Sequence, residues 1–280
     1  MTFLATLTGS FSTPAGDNPT VAMVEAAYRH AGLNARYVNC EVAPERLADA
    51  VRGAVAMCWV GFNCSLPHKV EVVGMLDELA ESAALIGAVN CVVVRDGSLI
   101  GENTDGQGFL TSVREAVDPS GQSVVILGAG GAARAIAVEL GLAGASRITI
   151  VNRDPKRGAE VARVVADGTA ADVRVEAWDS PFIVPRGTGL LVNATSIGLA
   201  PQTGRPPLDY DSLAAETVVA DVIPNPPHTA FLAAAAERGC TTIDGLGMLV
   251  NQGVIGIRLW TGIEADPHVM RAALAEALEL

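Results

Sequence analysis

Residues 123–152, SVVILGAGGAARAIAVELGLAGASRITIVN, set a glycine-rich turn between an apolar β-rich run and a helix-forming stretch. No other feature restricts the possible folds as much. The turn, Gly128-Ala129-Gly130-Gly131-Ala132-Ala133, reads G-x-G-x-x-A. The first glycine permits a tight turn, the second lets a pyrophosphate approach the backbone, and Ala133 lets the helix pack close to the strand. The helix start offers free N–H groups and a partial positive charge, which suit an anion. A dinucleotide is the ligand such a turn fits; a turn kept only for its shape is the alternative. Strand-like segments recur at VRVEA, GLLVNATS and TVVADVI, each followed by a loop or helix, which implies a parallel doubly wound sheet.

The second strand of this unit, RITIV, ends at Asn152, where an NAD-type site often carries a carboxylate for the ribose hydroxyls. Arg153 follows, with Arg157 four residues on, and two guanidinium forks suit a 2′-phosphate. NADP is therefore the expected cofactor. Asp154 opposes a phosphate and leaves NAD possible; a solvated basic helix start is the other reading.

The first hundred residues have a different style. FLATL, RYVNCEV, MCWVGFN and AVNCVVV read as strands, and VAMVEAAYRHAGL and ERLADAVRGA as helices. The expected organisation is an α/β protein of two domains. Residues 1–107 form a first domain on which helices in 245–280 pack back, and residues 108–244 form a Rossmann-type dinucleotide-binding domain. Apolar residues make up 50% and charged residues 18% of 280, the profile of a packed chain. A net charge of −12 leaves no basic face for nucleic acid. The N-terminus lacks a signal-peptide pattern and no apolar run is long enough to cross a bilayer, so a cytoplasmic protein is expected. Cys40, Cys58, Cys64, Cys91 and Cys240 show neither CxxC nor zinc-ligand spacing; they read as reduced thiols, and no metal site is expected. Monomer and homodimer both stay open.

The chain has two lysines among 19 basic residues, Lys69 and Lys156. In GFNCSLPHK (61–69), Pro67 suits a first helical position and puts Lys69 in that helix's first turn. The helix dipole disfavours a cation there, so a lysine kept for solubility is poorly placed, whereas one doing acid–base work has a reason. An exposed lysine reaching to water is the bland alternative. IGAVNCVVVRDGSLIGENTDGQGF (86–109) reads as a strand pair ending in a polar loop, with Asn90, Asn103, Thr104 and Asp105 at strand ends or in the loop.

GFNCSLPHK, IGAVN, GENTDGQGF, GAGGAARA, VNATSIGL, DVIPNPPHT and GLGMLVNQ, in this order and spacing, resemble the successive motifs of the shikimate dehydrogenase family. The resemblance implies that residues 1–107, completed by the helices in 245–280, are the substrate domain, and that hydride passes reversibly between NADP(H) and a ring carbon of a small polyhydroxylated carboxylic acid such as shikimate or 3-dehydroshikimate. It implies that Lys69 and Asp105 are the catalytic pair, Lys69 exchanging the proton and Asp105 orienting it. Ser65, Asn90 and Gln252 match substrate-binding positions. Thr195 lies in a cofactor-side loop (193–196), Gly245 and Met248 match residues lining the nicotinamide, and Arg153 and Arg157 match the adenine-phosphate clamp. Departures fall on the substrate side. The family's carboxylate-gripping Ser-x-Ser is Asn18-Pro19-Thr20 here, the threonine of its GxNVT motif is Ser65, and Pro224 replaces a substrate-contacting tyrosine. The implied substrate is thus shikimate or a relative such as quinate, dihydroshikimate or an aminated analogue. A nucleotide-binding homologue without turnover is the non-enzyme alternative.

Overall fold

The computed structural model describes residues 3–280. The chain divides into two compact units, one running up to Thr104 and including Val250–Leu280, the other Asp105–Leu249.

In the first unit the elements are β1 (Thr6–Ser12), α1 (Thr20–His30), β2 (Ala35–Glu41), α2 (Leu47–Ala56), β3 (Gly61–Cys64), α3 (His68–Glu71), β4 (Glu78–Leu79), α4 (Glu81–Ile86), β5 (Cys91–Arg95) and β6 (Ser98–Glu102). They build a six-stranded sheet in the order β2-β1-β3-β5-β6-β4. β1 is parallel to β2 and β3, while β5 is antiparallel to both its neighbours. One face carries Phe11, Trp59 and Phe62, with the two phenyl rings 4.6 Å apart. β1 begins and ends later than FLATL suggests. Its buried Thr8 and Ser10 are polar, which masks a strand in the sequence, yet each is satisfied. The Thr8 hydroxyl bonds the Tyr28 hydroxyl at 2.9 Å, and Ser10 Oγ donates to Asn39 Oδ1 at 2.9 Å.

In the second unit come α5 (Thr104–Arg114), which starts at the last residue of the first, β7 (Ser123–Leu127), α6 (Gly131–Leu142), β8 (Arg147–Asn152), α7 (Pro155–Gly168), β9 (Asp172–Ala177), β10 (Phe182–Ile183), β11 (Leu190–Asn193), β12 (Leu208–Asp209), β13 (Val218–Asp221), α8 (Ala230–Ala236) and β14 (Thr242–Ile243). The main sheet is wholly parallel in the order β14-β13-β11-β7-β8-β9. Leu127, Val151, Leu191, Val219 and Phe231 are among its buried core. The order reverses between β11 and β7, and crevices at such a reversal are where open α/β sheets take their ligands.

Helix α9 (Gly245–Thr261) carries the chain back into the first unit, where α10 (Pro267–Ala277) lies against α1. Trp260 Nε1 donates to the Val92 carbonyl at 3.0 Å, which fixes the returning helix to β5. Among the described residues no helix is long and apolar enough to cross a membrane.

The structure also corrects the expectation for residues 103–105. Thr104 and Asp105 belong to the first turn of α5 and not to a loop. The N–H of Thr104 is satisfied by a residue distant in sequence, Asn90, whose Oδ1 accepts it at 2.7 Å. At Gly106, in the same turn of α5, a Cβ would lie 2.6 Å from Glu139 Cγ and 2.7 Å from the Ala135 carbonyl oxygen. It is small because α6 passes close.

Candidate active site

The substrate-side residues collect at the ends of β1, β3 and β6. Asn90 Nδ2 donates to Thr104 Oγ1 at 3.0 Å, and Thr104 Oγ1 lies 3.4 Å from Gln252 Oε1. Asn90, Thr104 and Gln252 are all buried. The Asn90 backbone carbonyl accepts from Cys64 N and from Asn63 Nδ2, both at 2.9 Å, and Tyr37 donates to Asn63 Oδ1 at 2.8 Å. Burial of Tyr37 raises its pKa, so the phenol stays a donor.

Lys69 is half-buried in the first turn of the short helix α3, as expected, but Pro67 is that helix's N-cap and not its first helical residue. Its carbonyl accepts from Val89 N at 2.7 Å, next to Asn90. The buried His68 ring nitrogen bonds the Val42 carbonyl at 2.8 Å, which secures the same turn from the other side. Burial pushes the Cys64 thiol up to about 12, with the Lys69 charge opposing it. Cys64 is therefore an inert thiol beside the lysine. Ser65 is half-buried; its N–H donates to the Phe11 carbonyl and its own carbonyl accepts from His68 N. Asp105 is half-buried in the first turn of α5.

Asn18 sits in a closed polar ring. Its Nδ2 donates to Ser10 Oγ at 3.2 Å, its Oδ1 accepts from Thr20 N at 3.1 Å, and its carbonyl accepts from Asn39 Nδ2 at 2.9 Å. Thr20 is buried at the start of α1. The preceding loop is held by Glu41, whose carboxylate accepts from the Thr13 hydroxyl and from Ala15 N and is kept below the usual carboxylate range by those two bonds. Asn39 and Glu41 did not emerge from the sequence; a strand carrying both beside a polar loop is the only trace they leave there.

The dinucleotide side follows the motif. Gly128 has φ +107°, which side-chain-bearing residues avoid, and its N–H donates to Val151 O at 2.8 Å. A Cβ on Gly128 would meet the Ala194 carbonyl oxygen at 2.9 Å and Thr195 Cγ2 at 3.0 Å. Ala129 is buried, Gly130 is the N-cap of α6, and Gly131 and Ala132 open its first turn. At Gly130 and Gly131 an added Cβ would meet nothing within 4 Å. A pair of glycines facing open space at a helix start is a cradle that a pyrophosphate fits. Thr195 is positioned by Asn193, whose Oδ1 accepts the Thr195 hydroxyl at 2.7 Å and Thr195 N at 3.2 Å.

Asn152 ends β8, its Nδ2 donating to the Asp154 carbonyl at 2.8 Å. Arg153, in the bend before α7, and Arg157, in its first turn, are both exposed. Asp154 caps α7, its Oδ1 accepting from Lys156 N at 2.9 Å, and so has a structural reason to stand between two arginines. Gly245 and Met248 lie in the first turn of α9, which is capped by Asp244, the acceptor for Leu246 N and Gly247 N.

The sheet order and glycine cradle of the second unit are those of a dinucleotide-binding oxidoreductase domain, and the first unit gathers the buried polar side chains of Asn90, Thr104 and Gln252. Comparison with known proteins agrees. Residues 12–92 match the shikimate dehydrogenase substrate binding domain, 112–178 the shikimate / quinate 5-dehydrogenase family, and 245–275 the shikimate 5′-dehydrogenase C-terminal domain. The shikimate dehydrogenase (NADP(+)) of Methanopyrus kandleri is 42% identical over 275 residues, covering 96% of this chain and 95% of that protein. The shikimate 5-dehydrogenase of Thermus thermophilus, solved with NADP(H) and shikimate, superposes with a TM-score of 0.85 at 32% identity, over 98% of this chain and 100% of that one. The ligand-free 5-ketofructose reductase of Gluconobacter sp. strain CHM43 superposes with a TM-score of 0.97 at 62% identity, over 98% and 99% of the two chains. The chain belongs to the shikimate dehydrogenase family, NAD(P)-dependent oxidoreductases acting on a CH–OH group. The family, fold class and reaction class read from the sequence are borne out.

Proposed function

We propose that this chain is an NADP(H)-linked reductase of a ketone flanked by hydroxyls in a small polyhydroxylated molecule, with an uncharged ketose of the 5-ketofructose type preferred. The observation that carries the choice is the ring around Asn18. Where the family resemblance implies a carboxylate-gripping serine, Asn18 is tied back to Ser10, Thr20 and Asn39. The loop 13–20 holds Asp17 and no lysine or arginine. With Asn18 Nδ2 already donating to Ser10, the loop has less to offer a carboxylate, which needs several donors, than a neutral, hydroxyl-rich ligand that both donates and accepts. The 62% identity to the 5-ketofructose reductase supports the same substrate class. Shikimate or another cyclohexane carboxylate is the second reading, supported by the shikimate dehydrogenase relatives.

NADPH, when bound, supplies the hydride. Lys69 gives a proton to the carbonyl oxygen as it becomes a hydroxyl, and takes it back in the reverse direction. Asp105, Asn90, Gln252, Ser65 and Thr20 hold neighbouring hydroxyls. Gly128 to Ala132 take the pyrophosphate, and Arg153 and Arg157 read the 2′-phosphate. Gly245, Met248 and Thr195 border the nicotinamide. None of the five cysteines is in a disulfide, which suits a reducing compartment such as the cytoplasm.

The test follows NADPH oxidation with 5-ketofructose and, separately, with 3-dehydroshikimate. At least tenfold higher kcat/KM on the ketose is expected. A higher value on 3-dehydroshikimate, or no NADPH consumption with either, overturns the proposal.

A further inference from the structure

At the C-terminal end of the parallel sheet lies a carboxylate that neither hydride transfer nor proton exchange uses. Asp221 ends β13, is 1% exposed, and is bonded by three segments. Oδ1 accepts from Asn193 Nδ2 at 3.0 Å and from Ile223 N at 3.1 Å, and Oδ2 accepts the Thr229 hydroxyl at 2.7 Å. Asn193 also holds Thr195, while Thr229 caps α8 by accepting from Leu232 N at 3.2 Å. Ile223 continues the chain of contacts, because its carbonyl oxygen would be 2.3 Å from a Cβ on Gly245, the first residue of α9. One carboxylate thus ties together the 193–197 turn, the 222–229 loop and the helix start that carries Met248.

Resting on the dinucleotide reading of this unit, we propose that Asp221 is a positioning residue for the nicotinamide side: its ionised carboxylate holds Thr195, Ile223 and the start of α9 in the arrangement that binds NADP(H). Burial pushes the Asp221 carboxyl up to about 6, against the hydrogen bonds from Thr229, Ile223, Asn193 and Val222, which favour the anion. The titratable group that senses it is Tyr210, pushed up to about 12 by its own burial, with the Arg205 guanidinium 4.3 Å over its ring. Above about pH 6 the carboxylate accepts from all its donors. Below it, one oxygen carries a proton, one acceptor site is lost, and the grip loosens.

The experiment is a fluorescence titration of NADPH on the full chain between pH 5 and 8, for the parent, Asp221→Asn and Asp221→Ala, with circular dichroism on each. The 2′-phosphate titrates in the same range, so the readout is the difference between parent and Asn variant. Asp221→Asn keeps the shape and is expected to bind within threefold of the parent at pH 5 and to lose the parent's gain in affinity above pH 6. Asp221→Ala, if folded, is expected to weaken NADPH at least tenfold while changing kcat less than KM; if it does not fold, the Asn profile decides. Identical pH profiles for parent and Asn variant, or a folded Ala variant with parental affinity, overturn the inference. Failure of the parent itself to bind NADPH overturns the dinucleotide reading and the inference with it.

Discussion

Replacing Gly130 with alanine separates a glycine needed by the fold from one needed by a ligand. Gly130 has φ −86° and extended ψ, so alanine adopts its backbone without strain, and the new methyl would meet nothing within 4 Å. Removing backbone freedom from the unfolded chain should leave stability unchanged or raised by about 0.4–1 kcal/mol. Gly128→Ala is the control with the opposite physics. Its φ of +107° costs a side-chain-bearing residue about 1–3 kcal/mol. Its methyl would press on the Ala194 carbonyl oxygen at 2.9 Å and on Thr195, an overpacking cost of about 1–3 kcal/mol more. A loss of about 4 kcal/mol is on the order of 10 °C in Tm for a domain of this size. Thermal unfolding and NADPH titration on both variants make the assay. Gly130→Ala should unfold at or above the parental temperature yet bind NADPH at least tenfold more weakly, a loss of about 1.4 kcal/mol or more. Gly128→Ala should lose both stability and binding. A Gly130→Ala protein with parental NADPH affinity refutes the reasoning, since the open space beside that glycine would then not be where the pyrophosphate lies.

Lys69→Met should keep NADPH affinity within threefold and lower kcat by about 10²-fold or more, the scale of general acid–base catalysis; steady-state kinetics within threefold of the parent would remove the lysine from the reaction. Arg153→Ala should weaken NADPH by about 1.5–3 kcal/mol, the worth of a charge-assisted bond, and leave NADH almost untouched. Equal losses for both cofactors in parallel titrations would refute a phosphate-reading role.

The dinucleotide unit was legible because its signals are local. An apolar run, a G-x-G-x-x-A turn and a helix former fall within thirty residues, and the period of each segment tells its type. What escaped depends on side chains that meet across the chain. α5 begins at Thr104 because Asn90 caps it from 14 positions away, so a polar stretch with two glycines reads as a loop. β1 looks too polar for a buried strand until Tyr28 and Asn39 are seen to satisfy Thr8 and Ser10. Asp221 is one acidic residue among 31 in the sequence; only folding brings Asn193 and Thr229 to it. The candidate substrate residues stood out through motif resemblance. What the Asn18 position does became readable only once its bonds to Ser10, Thr20 and Asn39 were in view.

A competition assay tests the central claim most directly. Equal concentrations of 5-ketofructose and 3-dehydroshikimate are mixed with the enzyme and limiting NADPH, and the reduced products are counted by mass spectrometry. The product ratio equals the ratio of the two kcat/KM values and does not depend on enzyme purity or active fraction. The account predicts that the reduced ketose outnumbers shikimate by at least ten to one, and that Lys69→Met lowers both products together. Shikimate as the major product would contradict the proposed substrate, and no product from either would contradict the reductase itself.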